Sequence, residues 1–359
     1  MRRSLLSKRL IIWAKQHGRH HLPWQVDTTP YGIWVSEIML QQTQVITVIP
    51  YYQRFMARFP NLKILANAAE DEVLQHWQGL GYYARGRNLH RAACQIERQH
   101  RGCFPTTIEA VVALPGIGRS TAAAILSFSS NQSHAILDGN VKRVLARFHG
   151  VEGWTGQSAI LKKLWALAEQ HTPTKQTGAY NQAIMDLGSI LCTRSKPSCT
   201  QCPLHSDCSA HRQGRESELP TPRPRKKLPL KRRQTLIIVS DNGECYLEKR
   251  PPTGIWGGLW SFPELPETPD ISLWCREKLG YEVNNHKTWP TLIHTFSHYR
   301  LELTPIYAEI TEHASMIREA GRAIWYNPRQ SEALGLAAPV IKLLPRLQST
   351  LERDHPNEP

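Results

Sequence analysis

The fold is decided by residues Thr106–Arg147, TTIEAVVALPGIGRSTAAAILSFSSNQSHAILDGNVKRVLAR. This stretch predicts a helix, a break at Leu-Pro-Gly-Ile-Gly and a second helix. Pro115 ends the first helix because it has no backbone N–H and its ring clashes with the preceding turn. Gly116 and Gly118 allow a tight turn in which bare backbone can approach a partner closely. After a short crossing segment, Asp138 opens a third predicted helix.

Two helices joined by a Gly-x-Gly turn resemble a helix-hairpin-helix element, which binds DNA. The N–H groups at the start of the second helix have no partner within the helix, so they can hold a phosphate. The net charge of +14 favours a polyanionic partner such as nucleic acid. A basic soluble enzyme with another substrate would show the same charge, so charge alone leaves both open. We predict that the backbone at Gly116 and Gly118 contacts DNA.

The 359 residues predict two domains, each large enough to bury its own core. Residues 1–211 show helical periodicity interrupted by short Gly or Pro breaks, including a helix expected over residues 33–45. Residues 212–233 are rich in Lys, Arg and Pro, which predicts an extended basic linker. Residues 234–346 contain a hairpin signal at Asp-Asn-Gly and predict an α+β domain. Residues 347–359 are expected to form a C-terminal tail.

The first seventeen residues, MRRSLLSKRLIIWAKQH, resemble a signal peptide only superficially. Lys8 and Arg9 interrupt the apolar residues, and no small-residue cleavage site follows. Leu6, Leu10 and Trp13 instead suit one face of an amphipathic helix. The sequence has no run of about eighteen apolar residues. We therefore expect no membrane span and a cytoplasmic protein.

Four of the eight cysteines lie within seventeen residues, and these are Cys192, Cys199, Cys202 and Cys208. Their spacing, C-x6-C-x2-C-x5-C, predicts a metal site in a reducing compartment rather than disulfides. Four thiolates can bind zinc or a cubane iron–sulfur cluster. A zinc ribbon usually pairs two C-x2-C knuckles, and only one is present here. A purely structural role for the loop at residues 192–208 also remains open.

Two carboxylates are candidates for acid–base chemistry. Glu37 lies on an otherwise apolar predicted helix beside Trp34 and Ile38, where burial would raise its pKa and favour the protonated form. An exposed position on the same helix is an equal alternative. Asp138 precedes a helix, so it could serve only as an N-cap. Breaking a glycosidic bond needs such a pair, with one acid for the leaving group and one carboxylate for an oxocarbenium-like sugar.

The chain resembles the bacterial adenine DNA glycosylases, the MutY family of the endonuclease III-like superfamily, over essentially its whole length. The resemblance rests on LPWQ (22–25), SEIMLQQTQV (36–45), GLGYYAR (79–85), the hairpin, ILDGNV (136–141) and the cysteine loop. It implies a monofunctional, monomeric hydrolase that removes adenine mispaired with 8-oxoguanine, or with G, from double-stranded DNA in base excision repair. It also implies that the four cysteines hold a [4Fe–4S] cluster.

The resemblance implies catalytic and pocket roles for particular residues. Glu37 would protonate adenine at N7, and Asp138 would stabilise the cationic sugar with help from Asn140. The implied adenine-pocket residues are Trp24, Leu40 and Gln182. The amide of Gln182 could hydrogen-bond the base edge, whereas Trp24 and Leu40 would serve equally well as core residues.

Three further residues concern the DNA around the target base. Gln42 and Tyr82 are implied to enter the duplex and fill the space left by the extruded base, whose extrusion costs a few kcal/mol. A core role is the alternative for Tyr82. Ser120 is expected to bind substrate and stands where bifunctional relatives carry a lysine that forms a Schiff base. Without that amine, strong lyase activity is not expected.

Residues 234–346 resemble the Nudix-like domain of the same family, which recognises 8-oxoguanine. The helix at residues 274–282, WCREKLGYE, lacks the adjacent acidic pair that a Nudix hydrolase uses for Mg²⁺, so nucleotide hydrolysis is not expected. Phe296 could stack on DNA, Ser297 could hydrogen-bond the oxidised purine, and His298 lies in the same DNA-binding loop. A plain strand is the alternative for this segment.

These observations predict a mainly α helix-hairpin-helix glycosylase domain with an iron–sulfur loop, followed by an α+β Nudix-like domain. Two alternatives remain. The first is a thymine or oxidised-pyrimidine glycosylase, which Ser120 and the second domain disfavour. The second is a catalytically silent DNA-binding protein that uses an iron–sulfur cluster to sense redox state.

Overall fold

The computed structural model describes residues 3–26, 28–224, 228–265, 270–296, 298–311, 322–329 and 334–354. The chain divides into two compact units. The first contains Met1–Ala68 and Arg85–Arg225, and the second contains Ala69–Ala84 and Lys226–Pro359. A short segment from the N-terminal half therefore folds with the C-terminal unit.

Helices occur in both units and are numbered in chain order. They are α1 (Arg3–His17), α2 (Pro23–Val26), α3 (Pro30–Leu40), α4 (Val45–Arg58), α5 (Leu62–Asn67), α6 (Glu70–His76), α7 (Ala84–His100), α8 (Ile108–Val112), α9 (Arg119–Ser130), α10 (Gly139–His149), α11 (Ser158–His171), α12 (Thr177–Ile190), α13 (Ser209–Arg212), α14 (Ile271–Leu279) and α15 (Ala338–Asp354). In the described part of the chain, none of them is long and apolar enough to cross a membrane.

The core of the first unit lies between α1, α9, α10, α11 and α12. Leu10, Leu145, Leu164 and Ile184 are fully buried there. Helices α10 and α12 approach closely at Gly188, where an added Cβ would come within 2.7 Å of the Asn140 Cβ. This close approach holds the start of α10 against α12, and both helices contribute to the candidate site.

The helix-hairpin-helix element is present as predicted. Helix α8 is followed by a turn at Leu-Pro-Gly-Ile-Gly, and α9 begins directly after it. Gly116 has φ +77°, and a Cβ at this position would lie 2.8 Å from the Asn88 Cβ. Only glycine fits this turn without displacing Asn88. Asp138 caps α10, as the sequence suggested, because its side chain accepts a hydrogen bond from the Val141 N–H.

The helix expected over residues 33–45 was predicted too long. Helix α3 ends at Leu40, and α4 starts at Val45. Between them, Gln42 adopts φ +58°, which is incompatible with a continuous helix. The four residues between the helices, Gln-Gln-Thr-Gln, include neither Gly nor Pro, so the sequence pattern did not reveal the break.

The second unit contains one eight-stranded sheet with order β3-β2-β1-β7-β5 along its main path. Its strands are β1 (Leu230–Val239), β2 (Cys245–Lys249), β3 (Trp260–Ser261), β4 (Glu264–Leu265), β5 (Glu282–Thr288), β6 (Leu292–Thr295), β7 (Arg300–Thr311) and β8 (Ala323–Tyr326). The central strands β1 and β7 are parallel, whereas β1 and β2 form the predicted antiparallel hairpin. Helix α14 covers a core that includes Leu236, Ile306 and Cys275. The predicted fold class, a helical domain followed by an α+β domain, is confirmed.

The observed elements cross two of the predicted domain boundaries. Strand β1 starts at Leu230, inside the segment expected to be linker, because its first residues pair with Arg300 and the residues after it. Helix α15 continues to Asp354, past the expected start of the tail at residue 347. Its buried residues Leu347 and Leu351 explain why it continues. Because helices and strands need not end at domain boundaries, the boundaries at residues 211, 233 and 346 stay predictions.

Candidate active site

A cavity of about 880 Å³ opens among the helices of the first unit. It is bordered by α2, α3, α10 and α12, so residues far apart in sequence meet at one place. Six of the residues predicted for the catalytic pair and the base pocket line it: Trp24, Glu37, Leu40, Asp138, Asn140 and Gln182.

Glu37 lies on α3 and is half-buried at the cavity wall. Its neighbours Trp34 and Ile38 are almost completely buried. Burial, together with the nearby Asp138 charge, raises the pKa of the Glu37 carboxyl to about 8. Glu37 is therefore protonated at neutral pH and can donate a proton to a ligand in the cavity.

Asp138 faces the same cavity from the start of α10. Its Oδ1 accepts a hydrogen bond from the Val141 N–H at 2.7 Å, and its Oδ2 accepts one from the Asn140 amide at 3.2 Å. Burial raises the pKa of Asp138, whereas the Val141 N–H, the Arg143 charge and Asn140 lower it. The N-terminus of α10 and these donors favour the carboxylate, so the two acids differ in their surroundings.

Asn140 is held by Arg143, a residue that the sequence analysis did not single out. Arg143 Nη2 donates to the Asn140 Oδ1 at 2.8 Å and to the Gly188 carbonyl at 2.6 Å. Arg143 Nε donates to the carbonyl of Cys192, the first cysteine of the metal loop, at 2.6 Å. The amide of Asn140 is thereby oriented with its N–H₂ group toward Asp138.

Gln182 lies on α12 in a network that fixes its amide. Its Nε2 donates to Asp186 Oδ1 at 3.0 Å. Asp186 is almost completely buried and forms an ion pair with Arg19, whose Nη2 lies 2.6 Å from the same oxygen. Asp186 accepts one of the two N–H donors of Nε2, which orients the amide and leaves the Gln182 carbonyl oxygen available to a ligand. This geometry suits a ligand that presents N–H donors.

Trp24 and Leu40 supply apolar surface to the cavity. Trp24 is 7% exposed and packs edge-on against Tyr52, with ring centroids 5.4 Å apart. Leu40 is half-buried at the end of α3. Trp24 therefore combines the core role and the lining role that the sequence left open.

Ser120 makes a contact different from the predicted one. Its Oγ accepts a hydrogen bond from the Leu137 N–H at 2.9 Å, which ties α9 to the residue before Asp138. Ser120 is not part of the cavity lining. In this structure, it supports the loop that presents Asp138, and its role in substrate binding stays a prediction.

The predicted DNA-contacting residues lie outside the cavity lining. Gln42 is exposed in the turn after α3, and Gly118 directly precedes α9 with open space where a Cβ would be. Gly116 occupies the same hairpin. In the second unit, Tyr82 is 51% exposed with φ +50°. These placements suit contacts with an external ligand, but they do not establish one.

The predicted 8-oxoguanine loop is partly described. Phe296 is half-buried in an aromatic cluster with Trp256, at a centroid distance of 5.4 Å, and Tyr299, at 4.9 Å. His298 is exposed beside it. Ser297 lies outside the described residues. His294 and Thr295, the first residues of the predicted loop, belong to β6, whose side chains alternate in burial, whereas Phe296 after the strand joins the aromatic cluster.

The four cysteines of the metal loop occupy short turns after α12 and are half-buried as free thiols. Burial and the neighbouring Glu216, with smaller contributions from the Cys192 and Cys208 charges, raise the pKa of Cys199 to about 11. Burial also raises the pKa of Cys202 to about 12. The almost completely buried Arg147 donates to the Cys192 Sγ at 3.3 Å and to the Thr193 carbonyl at 2.7 Å. Grouped thiols that repel one another as thiolates are suited to a shared cation.

Several residues of the site were missed by sequence reasoning. Asp186 follows Gln182 by four residues, and Arg143 follows Asn140 by three, so helical spacing could have suggested both. Arg19 lies 167 positions from Asp186, and no local pattern connects them.

The fold and site define a class of protein, the base excision DNA repair glycosylases. The HhH-GPD superfamily base excision DNA repair protein model matches residues 35–170, and the NUDIX domain model matches residues 234–346. Among solved structures, a thermostable thymine-DNA glycosylase aligns with a TM-score of 0.54 and 26% identity, covering 59% of this chain and 97% of that one.

Full-length relatives narrow the class to one family. An adenine DNA glycosylase of Buchnera aphidicola subsp. Acyrthosiphon pisum is 38% identical over 98% of this chain and 100% of its own length. An adenine DNA glycosylase of Rattus norvegicus is 36% identical over 84% of this chain and 68% of its own. The chain belongs to the adenine DNA glycosylase family, as the sequence resemblance indicated.

Proposed function

We propose that this chain removes adenine from mispairs in double-stranded DNA by hydrolysing the N-glycosidic bond. The observation that supports this most directly is that a protonated Glu37 and Asp138, the N-cap residue of α10, line one cavity. The name shared by its full-length relatives agrees with this activity. Single-turnover conversion of a duplex with one 8-oxoguanine·adenine mispair tests the proposal. Tight binding without base release would instead support a catalytically silent DNA-binding protein.

The two acids divide the work of the reaction. Glu37 donates its proton to N7 of the extruded adenine, which makes the base a better leaving group. As the C1′–N9 bond breaks, its electron pair leaves with the base and positive charge develops on the sugar. The Asp138 carboxylate stabilises this oxocarbenium-like state while Asn140 fixes its orientation. Water then adds to C1′ and its proton passes, directly or through solvent, to the Glu37 carboxylate, which restores the acid and completes hydrolysis.

The pocket is suited to adenine in shape and polarity. Trp24 and Leu40 offer apolar surface to a flat base, and the Gln182 carbonyl can accept a hydrogen bond from the exocyclic amine. A purine with a carbonyl at that position would place two acceptors against each other, which is unfavourable when both are buried. Gln182 is thus proposed to discriminate adenine from guanine.

We expect Ser120→Lys to gain partial lyase character. Ser120 contacts Leu137, next to Asp138, so a longer amine at this position can reach toward the sugar carbon. Such an amine forms a Schiff base with the ring-opened sugar. Borohydride should trap a covalent DNA adduct of Ser120→Lys, whereas Ser120→Ala, which also loses the Leu137 hydrogen bond, should give none. Failure to trap an adduct would contradict the placement of Ser120 beside the reaction path.

The second unit is proposed to recognise 8-oxoguanine opposite the adenine. Deleting residues 226–359 would be a poor test because the segment Ala69–Ala84 folds with that unit, where Asp71 pairs with Lys249 at 2.9 Å. Phe296→Ala in the full chain is cleaner. A base–aromatic stack is worth roughly 1–3 kcal/mol, so the preference for 8-oxoguanine·A over G·A should fall about tenfold.

The control for Phe296→Ala is Ile293→Ala, which removes an exposed apolar side chain from the preceding strand. Single-turnover rates on both mispairs should show unchanged preference for Ile293→Ala. Equal preference in Phe296→Ala and the wild type, with both proteins folded, would remove Phe296 from the recognition surface.

The donor set at residues 192–208 fits an iron–sulfur cluster better than zinc. Among the described residues, one group of three potential metal ligands has all its ligand atoms within 4.8 Å of one another. The group consists of Cys199, His211 and Glu216, so it contains only one of the four thiols. The four thiols are thus spread more widely than the roughly 3.7 Å between sulfurs that tetrahedral zinc imposes. Cys192, Cys199, Cys202 and Cys208 would hold the cluster. When bound, a cubane cluster cross-links the loop and supplies a redox-active centre.

Cluster binding predicts a brown purified protein with an absorption band at about 410 nm. Cys202→Ala should lose most of this band and bind less iron per chain because one of four ligands is removed. Cys103→Ala changes an exposed cysteine outside the loop and should keep both signals. Zinc in place of iron in anaerobically purified wild type would refute the assignment.

A further inference from the structure

Arg85 makes an unusual set of contacts at the end of α3. It lies in the first turn of α7 and is 8% exposed. Its Nη1 donates to the carbonyls of Ile38 at 3.1 Å, Met39 at 2.7 Å and Gln41 at 2.5 Å. Its Nη2 donates to the Thr43 Oγ1 at 3.1 Å. One buried guanidinium therefore binds both the last turn of α3 and the turn that follows.

These contacts replace the usual end of a helix. The last carbonyls of a helix have no partner within it and form the negative end of its dipole, and a glycine often closes the helix by adopting positive φ. Here Gln42 adopts φ +58° without being glycine, a conformation that is unfavourable for a residue with a Cβ. The turn's own backbone bonds, Gln41 N–H to Ile38 at 3.4 Å and Thr43 N–H to Leu40 at 3.3 Å, are long.

The turn also reaches the hairpin. Gln41 Nε2 lies 3.5 Å from the Gly116 carbonyl and 3.5 Å from the Thr121 Oγ1. Gln42, between Gln41 and Thr43, is exposed. Arg85 thus fixes both neighbours of an exposed side chain whose backbone is strained.

We propose that Arg85 is a positioning residue that holds Gln42 in the conformation in which it enters the duplex. The inference rests on the proposed function, because it requires adenine to be extruded from DNA. Arg85 acts on the extrusion step through the turn at residues 41–43. It does not touch the base, and the protonation of Glu37 does not depend on it.

An arginine is required for this geometry. The planar guanidinium presents several N–H donors in a fixed fork, so it can bind three carbonyls and a hydroxyl at once. A lysine ammonium is a compact charge on a flexible chain and cannot span the same acceptors. Arg85→Lys keeps the buried positive charge but loses part of the hydrogen bonding to the turn. It therefore separates the effect of positioning Gln42 from the effect of the charge.

The test is a double-mutant cycle between Arg85→Lys and Gln42→Ala in the full-length protein. A duplex with 2-aminopurine beside the target adenine reports base unstacking through its fluorescence. We expect Arg85→Lys to lower the single-turnover excision rate about tenfold and to reduce the fluorescence rise. In the Gln42→Ala background, the same substitution should change the rate less than about twofold, because coupled residues are not additive. The excision rate of Arg85→Lys should still fall at alkaline pH in the same range as the wild-type rate does.

Two controls accompany the cycle. Arg91→Lys changes an exposed arginine on α7 and should match the wild type in rate and fluorescence. Thr43→Val removes the acceptor of Nη2 and the long contact of the same hydroxyl with the Gln41 carbonyl at 3.5 Å, so it loosens the same turn and keeps the proposal testable if Arg85→Lys does not fold. Its smaller loss of rate should also disappear in the Gln42→Ala background.

The proposal would be overturned if Arg85→Lys lowered the excision rate by the same factor in the wild type and in Gln42→Ala. Arg85 would then act through general packing and not through Gln42. The proposal would also be overturned if Gln42→Ala showed the wild-type excision rate and fluorescence rise, because Gln42 would then have no role in base extrusion. In both cases, the proposed function would still stand if the wild type released adenine and Glu37→Gln did not.

Discussion

Glu37→Gln is expected to lower the single-turnover rate of adenine release by about 10³-fold, the range typical of a lost general acid. Glutamine has nearly the same shape as the protonated acid but donates no proton to N7. Binding to an 8-oxoguanine·adenine duplex should therefore change little. Quench-flow or manual single-turnover assays, combined with binding titrations, measure the two effects separately. Wild-type rates from Glu37→Gln would remove Glu37 from the reaction.

The pH dependence of the rate follows from the raised pKa of Glu37. The wild-type rate should fall as pH rises through about 8, because only the protonated carboxyl can donate. The residual rate of Glu37→Gln should lack this limb. A wild-type rate that stays constant from about pH 6 to about pH 9 would contradict the assignment of Glu37 as the acid.

The same pKa shift has a consequence for stability. In the unfolded chain, Glu37 ionises near its ordinary value of 4.5, whereas in the folded protein it ionises near about 8. Between these values, the unfolded state has released a proton that the folded state retains, so the free energy of unfolding falls as pH rises. Glu37→Gln has no carboxyl to titrate at this position, so it lacks this pH-dependent fall in the free energy of unfolding. The variant should unfold at a higher temperature than the wild type at about pH 8, with a much smaller difference at about pH 5.

The sequence predicted those features of the site that local chemistry determines. The local pattern identified Asp138 as a helix cap after the hairpin and Glu37 as the one acid on an apolar helix. Their catalytic roles came from the family resemblance, and the orientation of Glu37 required the structure. Periodicity and capping act over a few residues, and these signals are visible in a single chain.

Features that depend on long-range contacts could not be predicted. Arg19 and Asp186 meet only because α1 and α12 pack together. The end of α3 depends on Arg85, which is more than forty positions away. The folding of the segment Ala69–Ala84 with the second unit depends on contacts such as Asp71 with Lys249. Hydrophobic patterns identify which faces are buried, but they do not identify the partners.

Asp138→Asn is the variant that separates chemistry from helix capping. Asparagine caps helices about as well as aspartate, and its side-chain oxygen can still accept the Val141 N–H that Asp138 accepts at 2.7 Å. The fold of α10 should therefore be retained. The negative charge beside the developing sugar cation is lost, which should lower the rate of adenine release by about 10²–10³-fold.

Asp138→Ala is the matched control because it removes both the cap and the charge. Thermal unfolding should show a clear loss of stability for Asp138→Ala, on the order of 1 kcal/mol, and little for Asp138→Asn. Both variants should lose activity to a similar extent. If Asp138→Asn released adenine at the wild-type rate while Asp138→Ala was merely less stable, Asp138 would be a helix cap and nothing more.

The same substitution also tests whether the two acids share one cavity in solution. The Asp138 charge is one cause of the raised pKa of Glu37. Removing it should lower that pKa, so the residual activity of Asp138→Asn should decline at a lower pH than the wild-type activity does. Two carboxyls that titrate independently would leave the alkaline limb in place. A shifted limb therefore requires the proton donor and the cation stabiliser to face each other across the base, which is the arrangement on which the proposed hydrolysis depends.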